Sequence, residues 1–264
     1  VSVHQARLRA GAILAQDYPV EADVVIGVPD SGLDGALGYA RESGIPYGIG
    51  FIKNRYIGRT FIQPTQGQRE NSVRIKLNAL KDTVNGKRVV LVDDSIVRGT
   101  TMRESILKIL DRLGPKRILL VSSAPQIRYP DCYGIDMAKL GDFVAFQAAI
   151  ELLKESNQLH VIEEVYRKAK SSQCCESPVP NYVQEIYAPF TAEQLSAKIA
   201  ELLSPVGIRA EVSVIFQTIE GLHEACPNHT GDWYFTGNYP TPGGAKVCNR
   251  AFINYIEGRN ERAY

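Results

Sequence analysis

The chain has 264 residues, of which 44% are hydrophobic and 22% are charged, and its formal net charge is +1. This composition is typical of a soluble globular protein, and the near-neutral charge excludes a general nucleic-acid-binding surface, so any anion site must be local. The sequence contains no apolar run of about 18 residues and no signal-peptide-like start. The five cysteines include no C-x-x-C pair, which predicts a reducing cytoplasm rather than a disulfide framework.

Apolar runs alternate with helical spacing in the first half of the chain. Strands are predicted at "ADVVIGVP" (22–29), "IPYGIGFI" (45–52), "KRVVLVDD" (87–94) and "KRILLVSSAP" (116–125). The helical faces predicted between them are formed by Leu33, Ala36, Leu37 and Ala40, by Val73, Leu77 and Leu80, and by Met102, Ile106, Ile109, Leu110 and Leu113. This alternation predicts an α/β fold, with a mostly parallel sheet covered by helices on both faces.

The second half of the chain has a different pattern. "FVAFQAAIELLKE" (143–155) and "QLSAKIAELL" (194–203) predict amphipathic helices, separated by the breaker-rich "SSQCCESPVPNY" (171–182). The stretch "CPNHTGDWYFTGNYPTPGG" (226–244) is rich in turn residues and aromatic residues. We therefore predict a core domain over residues 1–142 and a helical and irregular C-terminal extension, packed on the core, over residues 143–264.

One segment combines a strand, two acids and a small-residue loop. In "VVLVDDSIVRGTT" (89–101), Asp93 and Asp94 end the strand, and residues 95–100 lead into a helix that begins near Thr101. Ligands bind beyond the carboxyl ends of parallel strands, and free backbone N–H groups at a helix start form a phosphate site. The two carboxylates suit sugar hydroxyls or a hydrated Mg²⁺. The segment therefore predicts a site for a phosphorylated sugar.

One simpler interpretation of this segment competes with that prediction. A lone pair of aspartates before an N-capped helix is usually only solvated, but the unbroken order of strand, acids, hydroxyl-glycine loop and helix favours a site. Neither G-x-x-x-x-G-K-[ST] nor a helix-opening G-x-G-x-x-G occurs, so both common nucleotide motifs are absent.

This segment resembles the phosphoribosyl-diphosphate signature of the type I phosphoribosyltransferases. "EADVVIGVPDSG" (21–32), "GIPYGIGFIKNRYIGRTFIQPTQGQRE" (44–70), "RVVLVDDSIVRGTT" (88–101) and "YGIDM" (133–137) resemble segments of the amidotransferase branch of that family, in the same order. The resemblance is dense over residues 1–142. It implies the family's fold and an enzyme that transfers an amino group from ammonia to C1 of phosphoribosyl diphosphate. The products would be diphosphate and 5-phosphoribosylamine, as the first step of purine biosynthesis.

The resemblance also implies roles for individual residues. "GVPDSG" matches the family's diphosphate loop, which often holds a strained or cis peptide bond, and residues 53–70 match a mobile lid that closes over the substrate. Catalytic roles fall to Lys53, Tyr56, Arg59 and Asp94, and metal binding to Ser31, Asp93 and Asp94. Substrate binding is assigned to Pro29, Asp30, Ser31, Asp93, Asp94, Ser95, Ile96, Val97, Arg98, Gly99 and Thr100. Tyr56 and Ile62 match residues of an ammonia passage, or serve only in packing.

The chain departs from the family pattern in three places. The family's full enzyme begins with a glutaminase domain that has a terminal cysteine, whereas the first cysteine here is Cys132; we expect this chain to use ammonia and not glutamine. Some members hold an iron–sulfur cluster, which we do not expect here because Cys226 and Cys248 are isolated. About 40 residues between Ala149 and Phe190 have no recognised counterpart.

The expected cofactor is Mg²⁺, and the expected partners are phosphoribosyl diphosphate, ammonia and the glutaminase domain of the full enzyme. Purine nucleotides are expected as feedback inhibitors and the assembly as a homo-oligomer, with no nucleic-acid or membrane partner. The histidines and Trp233 are expected to be structural or to lie on the surface. Two alternatives stay open, namely a nucleobase-salvage phosphoribosyltransferase and a non-enzymatic sensor of phosphoribosyl diphosphate or purine nucleotides.

Overall fold

The structure, a computed structural model, describes residues 2–53, 77–133, 137–173, 178–229 and 231–263. The chain divides into two compact units. Unit 1 comprises Val1–Pro125 and Ala200–His229, and unit 2 comprises Gln126–Ile199 and Thr230–Tyr264. The chain thus returns to unit 1 after residue 199, which differs from the predicted boundary at residue 142. The division into a core domain and a packed extension stays a prediction.

The helices and strands follow one another in a simple order. The first part of the chain forms α1 (Val3–Asp17), β1 (Val24–Gly27), α2 (Gly32–Ser43), β2 (Phe51–Lys53), β3 (Leu77–Ala79), α3 (Lys81–Val84), β4 (Arg88–Asp93), α4 (π-helical at Met102–Leu107, then α-helical at Lys108–Arg112) and β5 (Arg117–Ser122). The second part forms α5 (Val144–Glu155), α6 (Leu159–Ser171), α7 (Gln184–Tyr187), α8 (Ala192–Leu203), β6 (Glu211–Phe216), α9 (Ile219–Ala225), α10 (Trp233–Thr236) and α11 (Pro242–Ile256).

The main sheet of unit 1 is parallel and has the strand order β1-β4-β5-β6. Its register pairs Val25 with Val90, Val90 with Leu119, and Leu119 with Ser213. Residues 89–92 of β4 are all buried, so side chains on both faces of the strand are covered. Consecutive buried residues are typical of a parallel sheet between two helical layers, and the predicted α/β fold is confirmed.

One face of this sheet packs against the first two helices. The buried cluster there is formed by Leu14, Ala15, Val25, Ala36, Tyr39, Ala40, Val90, Val92, Leu119 and Val121. The helices α1 and α2 approach so closely that a Cβ on Gly11 would lie 2.0 Å from the Gly35 carbonyl oxygen, and one on Gly38 would lie 2.0 Å from the Leu8 carbonyl oxygen. Their backbones are therefore in contact, which fixes the position of α1 along α2.

Two sequence predictions in this unit need correction. The prediction of a helix around Leu77 and Leu80 is wrong for the part that the structure describes. Residues 77–79 form the strand β3, which pairs antiparallel with β2. The strand predicted at residues 45–52 is regular only from Phe51. Before it, Tyr47 forms a single bridge to Val25. In both cases the observed conformation depends on backbone pairing with residues more than 20 positions away, namely β3 with β2 and Tyr47 with Val25.

The strand β6 was not predicted, although it completes the main sheet. Its residues alternate from the exposed Glu211 to the buried Val214 and Phe216, and all six pair with β5. The region 143–264 is therefore not only helical and irregular. The parallel partner of β5 comes from beyond residue 200.

Unit 2 is mainly helical. The Phe146 ring on α5 makes edge-to-face contacts with Phe252 and Tyr255 on α11, at centroid distances of 6.1 and 4.9 Å. Glu257, just after α11, pairs with Lys170 of α6 at 2.5 Å and accepts a hydrogen bond from the Tyr166 hydroxyl at 2.7 Å. The segment 149–190, for which the sequence analysis recognised no counterpart, contributes α6 and α7 to this unit. Among the residues with described positions, no helix is long and apolar enough to cross a membrane.

Candidate functional site

The carboxyl ends of β1 and β4 lie side by side. The Val28 N–H donates to the Val92 carbonyl oxygen at 2.8 Å, and the Gly32 N–H donates to the Val28 carbonyl oxygen at 2.9 Å. A Cβ on Gly32 would lie 2.4 Å from the Val92 carbonyl oxygen, so the first turn of α2 touches the end of β4. The loops that follow the two strands therefore begin at the same edge of the sheet, as expected for a ligand site in an open α/β sheet.

The loop after β1 contains three of the predicted substrate-binding residues. The peptide bond between Pro29 and Asp30 is cis, as expected from the family resemblance, and Ser31 precedes the first turn of α2. The Asp30 side chain is exposed and forms an ion pair with Lys53 at the end of β2. The structure thus brings Lys53 to this loop. The predicted positions of Tyr56, Arg59 and Ile62, and the lid from residue 54 onward, lie outside the described residues.

The loop after β4 begins with the two adjacent carboxylates. The Asp94 N–H donates to Asp93 Oδ1 at 2.9 Å, and the Ser95 hydroxyl lies 3.4 Å from Asp94 Oδ1. Ser123, which follows β5, donates from its N–H at 2.9 Å and from its hydroxyl at 3.1 Å to the Asp93 carbonyl oxygen. The backbone of the acidic pair is therefore held by its neighbouring strand, while the Asp94 carboxylate remains at the surface.

Burial raises the pKa of Asp93 to about 7, and the negative charge of Asp94 adds to this shift. The hydrogen bond from the Asp94 N–H acts in the opposite direction and is outweighed. The ionised form of such a carboxyl group destabilises the free protein, because burial deprives the charge of full solvation. Perturbed carboxyl groups of this kind are concentrated at functional sites.

The remainder of this loop connects the acids to α4. The Ile96 side chain is buried and anchors the loop, so only its backbone could face a ligand. Gly99 has φ +69°, a conformation that favours glycine, and its carbonyl oxygen accepts from the Arg103 N–H at 2.9 Å as the helix begins. Val97 and Thr100 are half-buried, and Arg98 is exposed. The predicted sequence of strand, acids, loop and helix is present, and the binding role of each residue stays a prediction.

The first turns of α4 are π-helical, which the sequence did not predict. In this conformation backbone hydrogen bonds span five residues, and π-helical turns are frequent at functional sites. The apolar spacing of Met102, Ile106 and Leu110 gave no sign of the irregularity, because all three side chains are buried as a regular helix would place them.

Mg²⁺ fits this site only as a largely hydrated ion. Among the residues whose positions are described, no group of three or more His, Cys, Asp or Glu side chains could hold a metal. Mg²⁺ commonly keeps several waters and binds one or two carboxylates together with substrate phosphates. Asp93 and Asp94, with Ser31 on the neighbouring loop, match that donor set.

Two residues at the site were missed by the sequence analysis. Ser123 follows the observed β5, which ends at Ser122, but it lies inside the strand predicted over residues 116–125, so the prediction did not place it at a strand end. Arg7 comes from α1, and its Nη2 lies 3.8 Å from Asp94 Oδ2. No local motif marks Arg7, because its partner is 87 residues away in the sequence.

Comparisons with known proteins agree with this geometry. Residues 4–132 match the family model of the phosphoribosyl transferase domain. A Bacillus subtilis protein named amidophosphoribosyltransferase is 44% identical over 199 residues, which is 71% of this chain and 42% of the relative. A relative with the same name from Archaeoglobus fulgidus is 51% identical over 151 residues, 57% of this chain and 33% of the relative. The chain thus spans less than half the length of these curated relatives.

A solved structure shows the same similarity in three dimensions. The structure of an enzyme described as the allosteric regulatory enzyme of purine biosynthesis matches with a TM-score of 0.58 and 38% identity, over 91% of this chain and 42% of that chain. Residues 4–132 of this chain are therefore similar to a phosphoribosyl transferase domain, and the chain is similar to part of the proteins named amidophosphoribosyltransferase.

Proposed function

We propose that this chain transfers an amino group from ammonia to C1 of phosphoribosyl diphosphate. The products are diphosphate and 5-phosphoribosylamine, and the reaction is the first step of purine biosynthesis. The observation that carries the proposal is the acidic pair Asp93-Asp94, at a strand end and directly before a glycine loop and a helix start, beside the loop of Pro29–Ser31. The names of the relatives support the same reaction.

The two loops offer complementary chemistry. Backbone N–H groups and hydroxyls of residues 95–100 suit the 5-phosphate, and the carboxylates of Asp93 and Asp94 suit the ribose hydroxyls. The diphosphate is assigned to the neighbouring loop with Asp30 and Ser31. Holding the two phosphate-bearing ends at separate loops leaves C1 of the ribose between them, where a small nucleophile can attack.

The reaction needs no nucleophilic side chain. The lone pair of ammonia forms the new C1–N bond while the C1–O bond to diphosphate breaks, and diphosphate departs with the bonding electrons. The nitrogen then loses a proton to solvent. We propose that Lys53 supports this step as a nearby cation, since it already pairs with Asp30 on the diphosphate loop. Mg²⁺, bound mostly through substrate oxygens and water, would neutralise negative charge on the departing diphosphate.

The test is a diphosphate-release assay with phosphoribosyl diphosphate, Mg²⁺ and ammonium at pH 8. We expect release that depends on ammonium, with 5-phosphoribosylamine as the second product. Parallel reactions receive hypoxanthine, guanine, adenine or uracil in place of ammonium. Release that requires one of these bases would instead indicate a salvage transferase, and binding without any turnover would indicate a sensor.

Further proposals concern the whole protein and rest on the similar structures. A solved B. subtilis structure that matches with a TM-score of 0.56 is titled as a glutamine phosphoribosylpyrophosphate amidotransferase complexed with ADP and GMP. We propose that the ammonia derives from glutamine at a glutaminase domain, that purine nucleotides inhibit transfer, and that the protein is a homo-oligomer. Inhibition of the ammonium-dependent reaction by ADP and GMP together, and sedimentation of the purified protein, test the last two.

A further inference from the structure

Beside the acidic pair lies a cation that no loop of the proposed site supplies. Arg7 Nη2 is 3.8 Å from Asp94 Oδ2, and both side chains are a little more than one-third exposed. We infer that Arg7 is a positioning residue for Asp94, whose carboxylate it orients toward the ribose hydroxyls. This inference deepens the proposed function and rests on it.

The fold delivers Arg7 to this position through two tight helix contacts. Arg7 and Gly11 are four residues apart and therefore lie on one face of α1. Gly11 is in backbone contact with Gly35 of α2, and the first turn of α2 touches the end of β4 at Gly32. One turn before Arg7, His4 Nδ1 lies 3.0 Å from Asp34 Oδ1 in that same first turn. The face of α1 that contacts α2 thus extends directly to the acidic pair.

The geometry of the pair favours a role in binding over a role in stability. At 3.8 Å the contact is within ion-pair range but too long for a hydrogen bond, so the guanidinium supplies charge without occupying an acceptor position on the carboxylate. A half-exposed ion pair contributes little to folding stability. Glycines inside α1 and α2 lower the stability of each helix. They also permit the close approach of the two helices that brings Arg7 near Asp94.

Arg7 also places a positive charge next to the two negative charges of Asp93 and Asp94. Asp94 is adjacent to Asp93, whose side chain is partly buried, and two neighbouring carboxylates repel one another. A guanidinium next to Asp94 favours one orientation of that carboxylate, in which it accepts hydrogen bonds from the ribose hydroxyls. Preorganisation of this kind acts mainly on substrate affinity, because the ribose hydroxyls are bound before the C1–O bond breaks.

The experiment measures the binding of phosphoribosyl diphosphate with Mg²⁺ by calorimetry, together with KM and kcat in the ammonium assay. Arg7→Gln should raise Kd and KM about tenfold, as expected when the cation that orients a substrate-binding carboxylate is lost, and leave kcat within about twofold. Arg7→Lys should restore most of the affinity because it keeps the charge. The matched control is Arg9→Gln on the same helix, where Arg9 Nε donates to the Ala225 carbonyl oxygen at 2.9 Å. This control should leave Kd and KM unchanged.

A double-mutant cycle identifies the residue through which Arg7 acts. If Arg7 works through Asp94, the variant that carries both Arg7→Gln and Asp94→Asn binds no more weakly than Asp94→Asn alone. The inference would be overturned if the losses in the two single variants were additive, if Arg7→Gln left Kd unchanged, or if Arg7→Lys did not restore affinity. In each of these cases the wild-type protein would still bind and turn over phosphoribosyl diphosphate, so the proposed function would not be affected. A wild-type chain that neither binds phosphoribosyl diphosphate nor releases diphosphate would instead remove the proposed function. Melting temperatures of all variants separate these outcomes from unfolding.

Discussion

At the amino ends of the main-sheet strands, here called the amino edge, Asp23 is paired with Arg88. At the carboxyl ends of the strands, here called the carboxyl edge, the carboxylates of Asp93 and Asp94 are neighbours and repel each other. Asp23 accepts hydrogen bonds from the Arg88 backbone N–H at 2.7 Å and from Arg88 Nη2 at 3.0 Å, and Arg88 also pairs with Glu21. These bonds with Arg88 lower the pKa of Asp23 to about 2. Burial and the charge of Asp94 move the pKa of Asp93 in the opposite direction.

The difference between Asp23 and the acidic pair distinguishes a carboxylate that stabilises the fold from carboxylates that are suited to binding a ligand. At the amino edge, the partners of Asp23 and Glu21 are supplied by the chain itself, and the arrangement favours the folded protein. At the carboxyl edge, the sole ion-pair contact described for Asp94 is Arg7, at 3.8 Å. Groups held in an unfavourable electrostatic state are expected where a substrate or a hydrated cation completes the environment.

The largest expected effect comes from Asp94→Asn. Loss of this carboxylate should reduce kcat/KM for phosphoribosyl diphosphate by about 100-fold, which corresponds to about 2.7 kcal/mol of transition-state stabilisation. The melting temperature should change little, because Asp94 makes no strong internal hydrogen bond through its carboxylate in the described part of the protein. Steady-state kinetics and thermal unfolding measure the two quantities. Unchanged kinetics would show that the carboxyl edge is not the site.

A second prediction concerns the stability of the free protein. The raised pKa of Asp93 means that its contribution to stability is present below the ordinary carboxyl pKa of about 4 and is lost as the pH rises through about 7. Asp93→Asn removes the ionised form and should therefore raise the free energy of unfolding at pH 8, by at most about 4 kcal/mol, which is the free-energy equivalent of a pKa that rises from 3.8 to about 7. The gain should shrink as the pH falls from 7 toward 4, because Asp93 then becomes protonated in the folded wild-type protein.

Urea unfolding of both proteins at pH 4 and pH 8, without substrate, measures this difference. A variant that is less stable than wild type at pH 8 would show that the Asp93 carboxylate is better solvated than its burial indicates. The same variant should lose substrate binding, which separates the requirement for function from the requirement for stability.

The smallest effect is expected at the amino edge. Asp23→Asn should lower the melting temperature slightly at pH 7 and leave KM and kcat unchanged, because the pair with Arg88 lies at the opposite end of the strands from the site. A lowered pKa means that the stabilising contribution is present above about 4 and is lost as the pH falls through about 2. The two proteins should therefore become equally stable in strong acid. A change in KM would contradict the separation of the two edges.

The sequence predicted those parts of the molecule that depend on neighbouring residues. Strand β4, the acidic pair, the glycine loop and the start of α4 follow one another within 25 residues, and local apolar spacing and turn residues determine them. The contact between Arg7 and Asp94 could not be predicted in this way, because it depends on the glycine contacts between α1 and α2. Strand β6 was missed for a similar reason, since its parallel partner β5 lies before the whole first segment of unit 2.

The separation of β5 from β6 along the chain has a consequence for synthesis. About 90 residues lie between Ser122 and Glu211, and a ribosome that adds roughly 5–20 residues per second needs roughly 5–18 s to make them. During that interval β5 is the outermost strand of the nascent sheet, with unpaired backbone groups along one side. Such edges favour pairing with other chains. A chain shortened to residue 125 would keep β5 permanently in this state, whereas in the described sheet β6 covers β5 and is itself the outermost strand.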